Sequence, residues 1–566
     1  MVAMNRSEIT TLLEHLRLEL ESLEAPEVKA SVVVLLNLVE TLASENETLR
    51  AEQQRLKDEI NRLKGEQGKP EVKGKNRQAQ DISSEQERQT HEVEPEPKEK
   101  GKRKRGSKRK QIRIDRRQTC PVERDQLPAD AVFKGYESVV AQELKIVTDN
   151  VEYRREVYYS PSQKKTYRGP LPAGVKGEFG SGIKSLIVTM KHVCNMSQPK
   201  ILEFLRNAKV VISSSYISKL LTDPESVFHA EKDDLYQAGL ASGSYQQIDD
   251  TTARVNGENH YTQVVCNPVY TAYFTTEHKD RLSVLDVLRN FAERRFMFTA
   301  ETMKLLKQFS LSQKLLAGVD RLAKDQPLSE AQINTLLDPL QPGPRQRSRI
   351  LEAAAIAAYH QETDLPVVKL LLCDDAPQFK LLSEELALCW VHDGRHYKKL
   401  NPIVPAHREK LEAFRRDYWE FYGKLLRFKQ NPTQTAGTHL SQEFDQLFST
   451  QTHYEQLDER IAKSKAKKDA LLAVLRHPEL PLHNNDAELG ARVQARVRDV
   501  SLQTKSEAGT KAKDTFMSIV QTAKKLGVNA YDYIHDRISG RFKMPSLAQL
   551  IRDKSKAEFP ACPDPP

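Results

Sequence analysis

The stretch YQQIDDTTARVNGENHYTQVVCNPVYTAYFTT, residues 245–276, decides the fold of this 566-residue chain. Three runs rich in β-branched and aromatic residues follow one another closely, separated by the turn sequences NGEN and NPV. Such runs with turn chemistry between them predict an antiparallel meander of three strands. The first strand carries two adjacent carboxylates, Asp249 and Asp250, so the meander brings acidic side chains onto a sheet.

Two later segments each bring a further acid. VVKLLLC, residues 367–373, is a compact apolar run typical of a buried strand, and Asp374 follows it directly. LHNNDAELGAR predicts the start of a helix, with Asn484 and Asn485 as caps and Glu488 in the first turn. A meander, a further strand and a later helix, each carrying one acid, are typical of an α/β, ribonuclease-H-like fold with a helical insertion.

Three acids form the predicted catalytic and metal-binding site: Asp249, Asp374 and Glu488. Hard divalent cations take oxygen ligands, and two of them about 3.5–4 Å apart can clamp the attacking and leaving oxygens of a phosphoryl transfer. Adjacent strand residues face opposite sides, so Asp249 and Asp250 cannot both point into one site. The same reasoning applies to Asp374 and Asp375, and one member of each pair is a bystander or an outer residue.

The positive charge of the chain is concentrated in one segment, residues 98–117 (KEKGKRKRGSKRKQIRIDRR). It holds twelve basic residues against two acidic ones, whereas the whole chain has a formal net charge of +9. Compact runs of one sign attract polyanions by releasing condensed counterions, which favours nucleic acid as the partner over a merely solvated linker. The predicted phosphate contacts are Lys102, Arg103, Lys104, Arg105, Lys108, Arg109 and Lys110.

A leucine zipper is predicted for residues 28–66. Leucines recur every seventh residue at the d positions: Leu35, Leu42, Leu49, Leu56 and Leu63. The g and e positions give three pairs of opposite charge, Glu45 with Arg50, Glu52 with Lys57 and Glu59 with Lys64. Asn46 at an a position adds register and dimer specificity, so the pattern predicts a parallel homodimer. The alternative is a single helix packed on the rest of its own chain.

The remaining segments are predicted from their composition and periodicity. Residues 67–120 form a linker without apolar periodicity, and residues 121–170 carry the strand-like runs ESVVAQELKIV, VEYRREVYYS and KKTYRG of a small β unit. Residues 171–240 are helical, and Ser213 to Ser215 precede a helix similar to the second helix of a helix-turn-helix, or an ordinary connector. The predicted catalytic core comprises 241–403 and 481–540, the helical insertion 404–480 and the C-terminal tail 541–566.

Composition excludes a membrane-spanning or secreted class. No apolar run approaches about 18 residues, and the N-terminus is charged where a signal peptide needs an apolar stretch. The six cysteines contain no CxxC pair, which predicts reduced, mostly buried thiols rather than disulfides or a zinc ribbon. We therefore expect a multidomain protein of the prokaryotic cytoplasm, associated with the nucleoid and not with a membrane.

A second constellation, C-x-x-H-x-x-x-H, is formed by Cys389, His392 and His396. On a helix this spacing places both imidazoles on one face, which is typical of zinc ligands. No fourth ligand is evident, so a packed or DNA-proximal role is the favoured interpretation. Trp390 lies within the same segment, where a core position is favoured over stacking on an extruded base.

The chain resembles the large transposase of the insertion-sequence-66 family, a DDE-type transposase. The matching motifs are IDDTTARV, LCDDAPQF followed by ALCWVHDGRHYKKL, and NNDAELGAR followed by KSEAGTKAKDTFMSIVQTAKKLGVNAYDYI. The last block carries the family's Asn-Asn-x-x-Glu, Ser-Glu-x-Gly and Tyr-x-Tyr elements in order. The similarity extends roughly from Ala131 to Ile534 and follows the N-terminal zipper and linker that the family also has.

The resemblance implies a transposase that binds transposon ends and target DNA. It identifies Asp249, Asp374 and Glu488 as the acids that hold two Mg²⁺ or Mn²⁺ ions for strand cleavage and strand transfer. Cys120 stands alone where family members have a cysteine zinc ribbon, and Leu489 replaces the usual arginine. The DNA-facing charge of the helix is then expected at Arg492, Arg496 and Arg498. Whether accessory proteins of the element take part is left open.

Two rival functions remain. A dimeric DNA-binding regulator would use the zipper and the basic run alone, but a bZIP protein carries its basic helix before the zipper and continuous with it. Here the basic run follows the zipper and is separated from it by a linker. A structure-selective nuclease with the same fold is the third option. The regulator would cut no DNA, and the nuclease would join none.

Overall fold

The computed structural model describes most of the chain. The described residues are 25–64, 112–123, 127–128, 130–144, 146–172, 177–223 and 226–558. The basic run is described only from residue 112 onward, so the predicted phosphate contacts from Lys102 to Lys110 lie outside the described residues. The same holds for Cys562 and for the last two residues of the predicted zipper.

The N-terminal elements are a long helix and a short hairpin. Helix α1 (Pro26–Leu63) runs without interruption through the leucine repeat. Strands β1 (Val157–Ser160) and β2 (Lys165–Arg168) pair in antiparallel orientation. The predicted strand ESVVAQELKIV is absent from the described residues of that run. Most of its apolar side chains, such as Val139 and Leu144, are exposed, so the run buries little surface that would hold it in a sheet.

Helices connect this region to the central sheet. They are α2 (Ser181–His192), α3 (Gln198–Asn207), α4 (Ser214–Thr222) and α5 (Ser226–Leu240). The Ser213 hydroxyl accepts a hydrogen bond from the amide of Tyr216 at 3.2 Å, so the predicted N-cap of α4 is present. Ile217 and Leu221 of α4 are buried in the core. A helix-turn-helix role for this region stays a prediction.

The centre of the protein is a mixed sheet of five strands. They are β3 (Gln246–Val255), β4 (Glu258–Asn267), β5 (Tyr270–Thr276), β6 (Leu370–Cys373) and β7 (Glu385–Leu388). Their order across the sheet is β5-β4-β3-β6-β7. The first three form the predicted antiparallel meander, whereas β6 is parallel to β3 and β7 is parallel to β6. The sequence did not predict β7, whose ELAL run is too short to show periodicity.

The meander owes its first turn to two residues with positive φ. Val255 pairs with Glu258, so the loop between β3 and β4 contains only Asn256 and Gly257. Their φ angles are +49° and +89°. Asn-Gly is the preferred pair for such a turn because its backbone twist matches the twist of the flanking strands. The turn fixes the register of β3 against β4, and with it the face on which each carboxylate lies.

Helices cover the connection from β5 to β6. They are α6 (Arg281–Leu288), α7 (Ala300–Gln308), α8 (Gln313–Asp320), α9 (Glu330–Leu337) and α10 (Pro344–His360), with a 3₁₀ turn at Asp338–Leu340. Residues 353–357 of α10 are fully buried alanines and an isoleucine, small enough to let this helix lie in the core. A further 3₁₀ turn, Pro377–Phe379, follows β6.

The helical insertion follows β7. Its helices are α11 (Trp390–Lys399), α12 (Pro405–Gln430), α13 (Gln434–Leu447), α14 (Glu455–Lys465) and α15 (Lys468–Leu471), with a 3₁₀ turn at Ala473–Leu475. Trp390 is fully buried, as favoured from the sequence, and its ring packs near Tyr418 and Phe421. Its indole N–H donates to the carbonyl of Leu471 at 2.8 Å. The tryptophan therefore holds the insertion together and does not face solvent.

Helix α1 docks onto the start of α12 through its first half. Leu36 is only 6% exposed and clusters with Ile403 and Val404. The carboxylate of Glu40 accepts hydrogen bonds from the amides of Ile403 and Val404, at 3.0 and 2.8 Å. These amides precede α12, where a negative charge is stabilised by the helix dipole. The first half of α1 therefore packs on its own chain, which is the alternative to a zipper given in the sequence analysis.

The d-position leucines of α1 take no part in this docking. Leu35, Leu42, Leu49, Leu56 and Leu63 are between 53% and 80% exposed. Beyond Ala43 the helix contributes no residue to the cluster formed with α12. A single chain does not test pairing of these leucines with a second copy, so the homodimer stays a prediction.

The chain ends in helices that close the fold. They are α16 (Asn485–Ser501), α17 (Glu507–Leu526), α18 (Ala530–Ile538) and α19 (Leu547–Glu558). The sequence predicted only a C-terminal tail for residues 541–566, but this segment contains α19. The helix packs in the core, where Leu547 and Ile551 are fully buried. The amide of Leu547 donates to the buried carboxylate of Glu231 in α5 at 2.9 Å. Isolated apolar residues in a short segment gave too weak a helical pattern to predict this.

Candidate active site

The register of two parallel strands places Asp249 beside Asp374. Gln246 of β3 pairs with Leu371 of β6, and Gln247 pairs with Leu372. Continued by two residues, this register sets Asp249 opposite Asp374, directly after the end of β6. Laterally adjacent residues of a sheet project to the same face. The two acids that the sequence singled out are therefore neighbours on one side of the sheet.

Helix α16 brings Glu488 to the same face. Asp249 is paired across β3 and β4 with Val264, whose side chain clusters with Ala491 and Val497 of α16. Glu488 lies in the first turn of this helix and is only 2% exposed. Its negative charge acts on Asp249, as does that of Asp374. The structure thus assembles the predicted triad from a meander strand, the end of a second strand and a helix.

Gly490 allows α16 to lie this close to the sheet. A Cβ atom at this position would stand 2.7 Å from Cγ1 of Val264, well inside van der Waals contact. The hydroxyl of Tyr273 in β5 donates to the carbonyl of Gly490 at 3.1 Å. A glycine inside a helix ordinarily weakens it. The close approach to Val264 supplies the reason for a glycine two residues after the predicted metal ligand Glu488.

Asn484 anchors α16 in a way that differs from the prediction. It occupies the N-cap position, but its side chain makes no capping hydrogen bond. Its Nδ2 instead donates to the carbonyl of Ile248 at 2.8 Å, one residue before Asp249. Asn485 is the first residue of the helix and not a cap. The fully buried Asn484 therefore uses its amide to join the glutamate helix to the aspartate strand.

The acids of the triad are buried and repel one another. Burial raises the pKa of Asp249 well above its usual range, and the charges of Asp374, Glu488 and Asp250 raise it further. Burial likewise raises the pKa of Asp374, against a hydrogen bond from the amide of Ala376. Buried carboxylates that repel one another are stabilised in their charged form by a nearby cation. Their donor set is all oxygen, which fits Mg²⁺ or Mn²⁺.

The neighbouring acids have other partners. Asp250 accepts a hydrogen bond from Nε2 of Gln378 at 2.6 Å and lies 3.8 Å from the ammonium of Lys279. Asp375 forms ion pairs with Lys380 at 2.8 Å and with Lys467 of the insertion at 2.5 Å. Although burial raises the pKa of Asp375, these hydrogen bonds outweigh it and hold the pKa below its usual value. Both acids are engaged by protein side chains, and the charges of both act on Asp374.

Cys389 and His392 join Glu488, and His396 does not. A ligand atom from each of Cys389, His392 and Glu488 lies within 4.8 Å of the others. His392 Nδ1 is 3.5 Å from Oε1 of Glu488. The pKa of the Cys389 thiol is raised to about 12, mainly by burial and also by the charge of Glu488. Hydrogen bonds from nearby backbone amides lower this pKa in part. Glu488 was missed as the third member because it lies far along the sequence.

The predicted DNA-facing arginines of α16 occupy different settings. Arg496 is exposed and Arg492 is half-buried. Arg498 donates to the carbonyl oxygen of Thr252 at 2.8 Å and to its hydroxyl, which ties α16 to the open end of β3. Arg498 therefore has a structural partner that the sequence did not indicate. Contact of any of the three with DNA stays a prediction.

The comparisons with known proteins concern the part of the chain that carries this site. Residues 369–512, which include Asp374 and Glu488, match the family described as "Transposase IS66 family". The class of protein is therefore a transposase. The chain is also 31% identical over 328 residues to "Uncharacterized protein y4jO" of Sinorhizobium fredii, an alignment that covers 57% of this chain and all of that relative. The chain belongs to the IS66 family of transposases.

Family membership implies DNA as a binding partner. Within the described residues, no helix combines the length and apolar character needed to cross a membrane. The described cysteines form no disulfide, with Cys266, Cys373 and Cys389 buried and Cys120 and Cys194 exposed.

Proposed function

We propose that this transposase binds the ends of its transposon and catalyses DNA strand cleavage and strand transfer with two divalent metal ions, Mg²⁺ or Mn²⁺. The observation that carries the proposal is the β3–β6 register, which sets Asp249 opposite Asp374 beneath the helix that carries Glu488. A cluster of repelling, buried carboxylates with only oxygen donors fits hard cations.

The sheet supports a ribonuclease-H-like core. Its order β5-β4-β3-β6-β7, with an antiparallel meander followed by two parallel strands, gives one acid on the first meander strand and one after the adjacent parallel strand. α16 then lies across β3 and β4 with the third acid in its first turn. The helices from α11 to α15 enter between β7 and α16, as an insertion within this arrangement.

The residues of the chain divide the chemistry among them. Asp249, Asp374 and Glu488 would hold the ions, which when bound polarise the scissile phosphate and activate first water and then the freed 3′-hydroxyl. Asn484 keeps the glutamate helix aligned with β3, and Gly490 lets it approach. Asp375 ties the loop after β6 to Lys467 of the insertion.

Two further elements would supply DNA affinity and assembly. The basic run at residues 98–117 would bind phosphates without regard to sequence. The exposed leucines of α1 would pair with those of a second copy to make a homodimer. Accessory proteins of the element would be additional partners, and none is needed to build the acid cluster described above.

The experiment that tests the proposal is a strand-transfer assay on duplexes that carry the element's terminal sequences, with Mg²⁺ and a supercoiled target. We expect cleavage at the end followed by joining of the 3′-end to target DNA. Binding without cleavage would favour the dimeric regulator, and cleavage without joining would favour a structure-selective nuclease. Either result would contradict the proposal.

A further inference from the structure

The group formed by Cys389, His392 and Glu488 differs chemically from the all-oxygen triad. A thiol, an imidazole and a carboxylate present one ligand atom each, and these atoms lie within 4.8 Å of one another. The separation of His392 Nδ1 from Glu488 Oε1, 3.5 Å, is close to the spacing of two ligands around one tetrahedral ion. Thiolate and imidazole ligands suit Zn²⁺, whereas Mg²⁺ and Ca²⁺ prefer oxygen.

The group is built on two helix starts that are joined to each other. Cys389 is the N-cap residue of α11, and His392 lies in the first turn of that helix. The amide of Trp390 donates to the carbonyl of Leu482 at 3.0 Å, and the amide of Asn484 donates to Sγ of Cys389 at 3.3 Å. Rigid elements with supporting hydrogen bonds are what a metal site needs to hold its ligands in place.

The burial of the group and its three protein ligands fit a metal site with one coordination position left for water. Cys389 and Glu488 are almost completely buried, and the His392 side chain is 26% exposed although its Nδ1 atom is buried, so the group lies just below the protein surface. Three protein ligands with a water in the fourth position are the usual arrangement of a zinc site that is not purely structural. His396 is not a member of the group, so the C-x-x-H-x-x-x-H spacing alone does not describe it.

We propose that Cys389, His392 and Glu488 bind one Zn²⁺ ion, or a similarly thiophilic divalent cation, with the fourth position open to water. Binding forms bonds from the metal to sulfur, nitrogen and oxygen, and the thiol proton of Cys389 is released to solvent. The site shares Glu488 with the triad assigned above, so Zn²⁺ withdraws this carboxylate from Asp249 and Asp374. Zn²⁺ should therefore inhibit Mg²⁺-dependent cleavage, a consequence that rests on the proposed function.

Cobalt titration of the full-length, metal-free protein tests the site itself. Co²⁺ substitutes for Zn²⁺ and reports a bound thiolate by a sulfur-to-cobalt charge-transfer absorption in the near ultraviolet. We expect wild-type protein to show this band, and added Zn²⁺ to remove it. Cys389→Ser should abolish the band, and His392→Ala should weaken metal binding by about 10–100-fold. Cys266→Ala, which removes another buried thiol outside the group, is the matched control and should keep the band.

Circular dichroism of each variant checks that the fold is retained, and Cys389→Ser is nearly isosteric. A wild-type protein without the band, or a band that persists in Cys389→Ser, would overturn the zinc site. The activity arm compares each protein with its own zinc-free cleavage rate. Zn²⁺ should inhibit wild type and Cys266→Ala but not Cys389→Ser, and equal inhibition of all three would overturn the competition. Absence of any cleavage would count against the proposed function, while the cobalt result would still stand.

Discussion

The side-chain amide of Asn484 donates a hydrogen bond to the carbonyl of Ile248 at 2.8 Å. This bond joins the residue before Asp249 to the residue at which the Glu488 helix begins. Both groups are fully buried, so each depends on the other for hydrogen bonding. A residue that is not a predicted metal ligand therefore ties the strand of Asp249 to the helix of Glu488.

Replacing Asn484 by alanine should affect both stability and catalysis. Loss of the bond leaves the buried carbonyl of Ile248 without this donor, at a cost of about 1–3 kcal/mol. It also frees α16 to shift, which should lower the rate of DNA cleavage. The control is Asn529→Ala, because Asn529 caps only its own helix by accepting from Tyr531 and Asp532. Denaturation and cleavage assays should show destabilisation in both variants but loss of cleavage only in Asn484→Ala.

Two helical glycines make a matched pair for the approach of α16 to the sheet. Gly490→Ala places a methyl group 2.7 Å from Val264, and we expect a loss of about 1–3 kcal/mol in the free energy of unfolding. A methyl group at Gly437 of α13 would meet no atom nearer than 3.8 Å, the closest being in Phe428. Gly437→Ala should therefore be neutral or stabilise by up to about 1 kcal/mol. Equal effects in thermal unfolding would contradict the close approach of α16 to the sheet as the reason for Gly490.

The zipper prediction now concerns chiefly the second half of α1. Its first half docks on α12 through Leu36 and Glu40, whereas Leu49, Leu56 and Leu63 are exposed. We expect residues 28–66 alone to sediment as a dimer. Reversal of Glu45, Glu52 and Glu59 to lysine should weaken it, because like charges would face each other across the interface. Lysine at Glu47, Ala51 and Asp58, which are outer b and f positions, is the control and should leave the dimer intact.

The basic run should supply affinity for DNA that does not depend on sequence. Each phosphate contact that it makes releases counterions and steepens the salt dependence of binding by about 0.9 in logarithmic slope. Replacing Lys102, Arg103, Lys104, Arg105, Lys108, Arg109 and Lys110 by glutamine should flatten the slope for random duplex DNA. An unchanged slope would mean that other residues make these contacts.

Local sequence patterns were sufficient for the elements that carry the acids. β-branched runs with Asn-Gly between them gave the meander, and an apolar run followed by Asp374 gave β6. Contacts between residues that are far apart in the sequence could not be predicted. The docking of Glu40 on α12, the Arg498 bond to Thr252 and the approach of Cys389 to Glu488 all join residues that are far apart in sequence. They depend on tertiary packing, which no local periodicity encodes.

Strand alternation allows a sharp test of the acid assignment, because adjacent aspartates are chemically alike. Asp250 bonds to Gln378 and Asp375 pairs with Lys380 and Lys467, whereas Asp249 faces the Glu488 helix. Asp250→Ala and Asp375→Ala should therefore reduce activity only mildly. Electrophoretic binding assays should show unchanged DNA affinity for every variant, since the acids position metal for the reaction and not for docking.

The decisive comparison for the metal-binding triad is Mg²⁺-dependent cleavage of transposon-end DNA by Asp249→Ala beside Asp250→Ala. We predict that Asp249→Ala, like Asp374→Ala and Glu488→Ala, loses at least about 10²–10³-fold in cleavage rate while binding DNA as wild type does. We also predict that Asp250→Ala still cleaves. An inactive Asp250→Ala together with an active Asp249→Ala would refute the assignment of the triad, because the metal-binding face of β3 would then be the opposite one.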